Sequence, residues 1–229
     1  MIADLHGSPP LGLRPLPGVD GAARVALTQT AAALLTGDEL VLNVEVGEGA
    51  ALEVQEISAT VAHPTPGGEA GMVQRVEIEI RPGASAWIDE QPLIIARGAR
   101  LERTLRLALH ADARCLHREV IVLGRHGEVA GSSRLRRRVE RDGVPVLDET
   151  LDTSAAIASA AIAGRARVLA SVACFGQSLP SELRAIPGTF ALGERDTLHR
   201  VLGPDAPSVL AASERVWERW RRGMSRAPV

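Results

Sequence analysis

From about residue 24 to residue 150 the chain alternates apolar and polar side chains with period two. Leu42, Val44 and Val46 alternate with Asn43 and Glu45, and the stretches Val76-Glu77-Ile78-Glu79-Ile80 and Leu105-Arg106-Leu107-Ala108-Leu109 repeat the pattern. Such alternation predicts strands with one buried and one wetted face. Each predicted strand runs into a short turn and then a small residue: Gly47-Glu48-Gly49-Ala50, Arg81-Pro82-Gly83-Ala84, Gly98-Ala99 and His110-Ala111-Asp112-Ala113. From Gly49 to Gly83 is 34 positions, from Gly83 to Gly98 is 15, and from Gly98 to Asp112 is 14. A Pro- and Gly-rich insertion, His63 to Gly71, interrupts the series. This recurrence predicts strand pairs stacked as successive layers. The expected fold is therefore mainly β, either helically wound and β-helix-like or sandwich-like.

The tail changes character. Ser154 to Ala163 reads as a short Ala-rich helix or covering segment, and Arg167 to Cys174 as a further strand. Ser178 to Pro187 reads as a Pro-bounded loop holding one helical turn. Ser208 to Arg222 carries Val209, Ala212, Val216 and Trp220 on one face and gathers arginines at its end, where they complement the helix dipole. No linker composition intervenes. The expectation is a single domain over residues 1–229, with a β-rich body at about 11–175 and a helical segment at about 178–222.

Composition narrows the chemistry. All 26 basic residues are arginine, so a phosphate loop with its lysine, a Schiff-base lysine and a Ser-Lys dyad are excluded. Aromatic residues make up 2% of the chain, with no tyrosine, which removes the stacking platforms of single-strand nucleic-acid binding. The formal net charge of −2 provides no global field toward nucleic acid or anionic membrane. The first residues lack a basic and an apolar signal region, and the longest low-polarity stretch is too short to span a bilayer. Two cysteines make no disulfide framework. These features predict a cytoplasmic protein.

No HExxH, CxxC or GxSxG motif is present, and Gly47-x-Gly49 has Leu52 where a dinucleotide fingerprint needs its third glycine. Cys115 and His117, two apart on a strand, share a face and form the one soft-ligand pair; a buried cysteine beside a hydrogen-bonded histidine is the plainer reading. In Leu123-Gly124-Arg125-His126-Gly127-Glu128 two glycines frame Arg125, His126 and Glu128, which reads as a turn with an Arg–Glu pair or as a polar cluster on a binding surface. The run Arg134 to Arg141 reads as a solvated strand face or partner-docking patch. The alternatives from other classes are a hydrolase on a β scaffold, with a triad assembled across the sequence, and a nucleic-acid-binding β-module built on Arg134–Arg141.

Several stretches, in order, resemble the urease accessory protein UreD (UreH) family. They are Leu34-Leu35-Thr36-Gly37-Asp38-Glu39-Leu40 followed by Val44-x-Val46-Gly47-x-Gly49-Ala50, then Gly83-Ala84-x-x-Trp87 with Pro92 and Leu93-Ile94-Ile95, and Glu119-x-x-x-Leu123-Gly124-Arg125 followed by Gly127-Glu128. The Gly164 to Ala170 segment and the closing Arg200-Val201-Leu202, Trp217 and Arg221 complete the set. The resemblance implies a non-enzymatic scaffold with a helically stacked β fold that assists nickel insertion into urease. It implies three partners: apo-urease, a UreF-like accessory protein and, through it, a UreG-like GTPase. It implies no stably bound cofactor, only nickel in transit. Gly37, Asp38, Gly124, Arg125, Gly127 and Glu128 carry the family motifs. A passage for the ion needs carboxylates of modest affinity, and Glu128, Glu149 and Asp38 are the candidates, with Cys115 and His117 as a soft-ligand alternative.

Overall fold

The computed structural model describes residues 1–31, 33–153, 164 and 166–224. The predicted Ala-rich segment Ser154–Ala163 lies outside them. In chain order the strands are β1 (Leu11–Val19), β2 (Ala22–Gln29), β3 (Leu34–Leu35), β4 (Glu39–Val46), β5 (Ala51–Glu56), β6 (Thr60–His63), β7 (Met72–Ile80) and β8 (Ser85–Asp89). They continue with β9 (Leu93–Ile95), β10 (Arg100–Leu109), β11 (Arg114–Leu123), β12 (Ser132–Arg141), β13 (Val144–Asp152) and β14 (Val168–Phe175). A helical turn, α1 (Ser181–Arg184), precedes β15 (Thr189–Ala191) and β16 (Thr197–Gly203), and α2 (Ala206–Gly223) follows.

The chain winds between two sheets. The smaller has the order β13-β12-β10-β7-β4, with β4, β7, β10 and β12 all parallel. The larger follows β1-β2-β5-β8-β11-β14-β16-β15, with β3, β6 and β9 beside that path. Each passage from the small sheet to the large one and back is one coil, so Leu42, Val76, Leu105 and Arg137 lie side by side on successive coils. The fold is mainly β and solenoid-like, with 52% of the described residues in strands against 10% in helices. The structure refines the spacing argument. The 34-residue interval is a full coil and the intervals near 15 are half coils, because the turns alternate between two corners. Gly49, Gly83 and Asp112 stack at one corner, where Gly49 N donates to Pro82 O at 3.0 Å. Ala99 and Gly131 meet at the other, where Ser132 N donates to Ala99 O at 2.9 Å. The alanines after the turns are what allow close stacking: Ala84 and Ala113 are wholly buried between coils.

Inward rows of aliphatic side chains form the core, and the alternation holds residue by residue. On β10, Leu101, Leu105, Leu107 and Leu109 are buried while Glu102, Arg106 and Ala108 are exposed. The large sheet is buried on both faces along β11 and β14, because α2 lies across its outer side. That helix begins with Asp205, whose carboxylate accepts the Ser208 amide at 2.9 Å, and it buries Val209, Ser213, Val216, Trp217 and Trp220. Arg118 fastens it by bridging Asp89 at 2.6 Å and Glu214, with its guanidinium 5.8 Å from the Trp217 ring. Among the described residues no helix is long and apolar enough to cross a membrane.

At the corner where Gly131 meets Ala99 the coil spacing leaves no room for a side chain. A Cβ on Gly131 would meet the carbonyl oxygens of Ala96 at 2.6 Å and of Ala99, whereas one on Gly47 would meet nothing within 4 Å. Gly131→Ala is therefore expected to lower unfolding free energy by about 2 kcal/mol, and Gly47→Ala to change it little. Denaturant unfolding of the two variants side by side checks this.

Candidate functional site

A polar layer crosses the interior and divides it. On one side lies the larger apolar cluster, with Ile80, Leu105, Leu107, Leu109 and Cys115. On the other lies a second cluster built on Leu93, Ile95, Leu101, Ile121 and Leu135. Between them the inward row of the large sheet is polar. The register that pairs Gln55 with Asp89 and Asp89 with Arg118 places Glu56, Glu90 and Glu119 next in line, one glutamate per coil. The backbone makes space for them. The large-sheet strand is broken at residues 57–59, between β5 and β6, and at residues 90–92, between β8 and β9. Pro92, which has no amide to donate, sits at the second break and accepts the Thr60 amide at 3.0 Å.

Two arginines enter this layer from the small sheet. Arg103, 3% exposed, occupies an inward position between Leu101 and Leu105. Its guanidinium donates to Glu90 at 2.6 Å and to Glu119. Arg137 lies inward between Leu135 and Val139, 2.6 Å from Glu149 and 3.6 Å from Glu119. Glu149 also accepts from Arg200, and both of these are about 30% exposed, so the layer reaches the surface there. His117, 1% exposed, donates from Nε2 to Glu90 at 2.9 Å. At the opposite end Glu56 accepts from the Gln91 amide at 2.9 Å and from Thr60 Oγ1 at 3.1 Å, and Gln29 donates to Thr60 at 2.8 Å.

The charges in this layer are nearly balanced, and the balance sets the titration. Three guanidinium groups face four carboxyl groups. Burial would raise Glu119, but Arg103 and Arg137 hold it well below the ordinary carboxylate range. Glu56 has no guanidinium in contact. Burial, reinforced by the negative charge of Glu90, pushes it up to about 7. A protonated Glu56 leaves three carboxylates for three arginines. Among the described residues, Gln74 Oε1, Arg103 Nε, His117 Nδ1 and Arg200 Nε are buried polar atoms of the layer with no hydrogen-bond partner. The charged layer forms a seam between the two apolar clusters.

Of the residues singled out from sequence, the fold brings His117 and Glu149 into one network through Glu90, Arg103, Glu119 and Arg137. Glu128 lies elsewhere. It forms a two-pronged pair with Arg125, at 2.6 and 3.0 Å, in the corner loop between β11 and β12, and that pairing holds its carboxyl at about 2. Gly124 and Gly127 in the same loop take left-handed φ of 81° and 74°. Asp38 accepts the Leu35 amide at 2.7 Å and closes the turn that contains Gly37. Cys115 sits in the larger apolar cluster, where burial pushes its thiol up. The run Arg134–Arg141 is matched by acids: Arg134 with Asp152, Arg136 with Asp148, Arg138 with Glu140 and Arg141 with Asp196. Among the described residues no group of three or more His, Cys, Asp or Glu is placed to hold a metal ion.

Sequence reasoning missed Glu56, Glu90 and Arg103, quoted Glu119 and Arg200 only within the family resemblance, and took Arg137 with its solvated neighbours. The signal for the arginines was present: Arg103 falls on the inward beat of a strand whose other inward residues are leucines, and Arg137 on the inward beat between Leu135 and Val139. Glu56 and Glu90 gave no such signal, because Glu56 ends its strand and Glu90 lies in the break itself.

The molecule is thus a solenoid-like β protein whose mainly apolar core is crossed by one charged seam, partly exposed at one end, with a helix across one face. The chain belongs to the UreD family: the family model described as UreD urease accessory protein matches residues 2–229. It is similar to "Urease accessory protein UreD 1" of Streptomyces griseus, 37% identical over 92% of this chain and 82% of that protein. It is also similar to "Urease accessory protein UreD 3" of the same organism, at 36% over 96% and 86%, and to "Urease accessory protein UreD" of Parafrankia sp., at 32% over 89% and 74%.

The raised Glu56 carboxyl has a consequence for stability. The folded state holds this proton above the pH at which the unfolded chain releases it, so the contribution of Glu56 is most favourable below about pH 4.5 and is lost as pH rises toward 7. Glu56→Gln, fixed in the neutral form, is expected to gain stability over the parent between those limits, reaching a few kcal/mol and levelling off above pH 7. Urea unfolding of both proteins from pH 4.5 to 8 checks the sign: a gap that narrows with rising pH overturns it.

Proposed function

We propose that this protein serves urease maturation as a non-catalytic scaffold, and that the polar seam is the route by which nickel crosses it. The observation that carries the reading is the single row of Glu56, Glu90 and Glu119, continued to the surface by Arg137, Glu149 and Arg200 between two apolar clusters. Isolated buried charges are costly, and this many in one plane indicate a function that burial alone does not serve. Carboxylates already engaged by arginines present weak, exchangeable oxygen ligands, which suits an ion that must leave again. The partners of the proposal are apo-urease, a UreF-like accessory protein and, through it, a UreG-like GTPase. Nucleotide hydrolysis has to come from such a partner, since this chain has no lysine for a phosphate loop.

The test is nickel content per urease after co-expression with the urease subunits and accessory proteins at limiting nickel. Glu149→Gln removes a charge at the surface end of the seam, Glu56→Gln removes the group that can ionise at the other end, and both are expected to lower loading several-fold while the complex still co-purifies. Glu128→Gln, in the surface loop, is expected to load normally. Thermal unfolding of each variant separates a folding defect from a transport defect. Parental loading in both seam variants would leave the charges a purely structural role.

A further inference from the structure

The terminal strands of the two sheets are not protected alike. An unpaired strand edge is a template for another chain, and proteins blunt it with proline, bulges or short length. In the large sheet, β1 carries Pro15 and Pro17 and β15 is three residues long. In the small sheet, β13 carries Pro145 and a register shift opposite Val139 and Glu140. Strand β4 has no proline, bulge or truncation, and only the charges of Glu39 and Glu45 guard it. It is eight residues long, contains neither glycine nor proline, and keeps unbroken register with β7 from Glu39 to Val46.

Its free side can be identified. Val73 N donates to Asp38 O and Arg81 N to Val46 O, so even-numbered residues turn their backbone groups toward β7. In a parallel pair the alternate residues point the other way. Glu39, Val41, Asn43 and Glu45 therefore present N–H and C=O groups outward, and no described residue pairs with them. Beside them Val41 is 50% exposed, and Leu42 and Val44 on the inner face are only partly buried.

We propose that β4 is the docking edge for an extended segment of a partner protein, added as a sixth strand of the small sheet. The segment carries aliphatic residues toward the core, beside Leu42 and Val44, and Lys or Arg on the outer face. The charge on this side selects that chemistry. Glu39, Glu45, Glu77 and Glu79 stand on the outer face of β4 and β7; Arg75 and Arg81 counter them, with Arg106 beside Glu77 and His110 at Glu79 on the side away from the free edge. A second copy of the chain pairing through β4 would add its own Glu39 and Glu45 to this acidic edge, which disfavours self-association there. Main-chain bonds supply the affinity and the alternating side chains the selectivity. The proposal does not depend on nickel transit.

Two end-blocked synthetic peptides probe it with the full chain, one alternating valine with arginine and one alternating valine with glutamate. The arginine peptide is expected to bind and to protect the Val41, Asn43 and Glu45 amides from hydrogen exchange, while the glutamate peptide does neither. Asn43→Pro removes an outward N–H while sparing the bonds to β7, and is expected to weaken binding about tenfold or more. Asn43→Thr keeps the N–H and is expected to bind as the parent does. If thermal unfolding shows that Asn43→Pro does not fold, protection of the three amides decides alone. Equal affinity of the parent and a folded Asn43→Pro, binding without protection at β4, or no binding overturns the proposal. Concentration-dependent dimerisation that protects β4 without peptide overturns it in favour of a second copy.

Discussion

Arg103 is the residue around which the interior is arranged. A guanidinium at 3% exposure cannot be left unpaired, and cannot shed its charge as a lysine could. It is held by Glu90 and Glu119 from two neighbouring coils, and Glu119 in turn faces Arg137. These contacts tie β8, β10, β11 and β12 across the two sheets, so coil register, sheet spacing and the position of the strand breaks all have to satisfy one set of charges. The apolar clusters to either side fill the remaining volume. Losing one partner would strand a charge inside, at about 3–5 kcal/mol, which is of the order of a domain's whole stability.

Much of the scaffold was legible because it repeats. Strands such as Leu105–Leu109 announce their buried face with every second residue, and the turn glycines and alanines announce where coils stack. The C-terminal helix was legible for a similar reason, and the structure adds Ser213 and Trp217 to its buried face. What period alone does not carry is which half of a coil a strand belongs to, since both corners use the same small residues. The intervals near 15 and of 34 became half and full coils only once the register was seen.

The seam was less legible, for a physical reason. Pattern reading treats charged residues as surface, and the arginines of the run Arg134–Arg141 do mostly face solvent. Arg137 differs from Arg136 and Arg138 only in parity. Glu128 drew notice because two glycines frame it, yet glycines mark backbone turns, and its loop closes a corner with an Arg125 pair. Buried acids at strand breaks, such as Glu56 and Glu90, are positioned by coils distant in sequence. Only the parallel register reveals that they align.

That alignment bears on how such a molecule can change over time. Each full coil adds one rung to the stack and one acid to the row, from Glu56 to Glu90 to Glu119. A duplicated coil would bring its own strands, its own corner alanines and its own rung, so the solenoid could lengthen without redesign of the rest. The arginines set the limit, because an added acid without an added guanidinium would hold its proton to higher pH, as Glu56 does. The stack is modular in its backbone and indivisible in its charge.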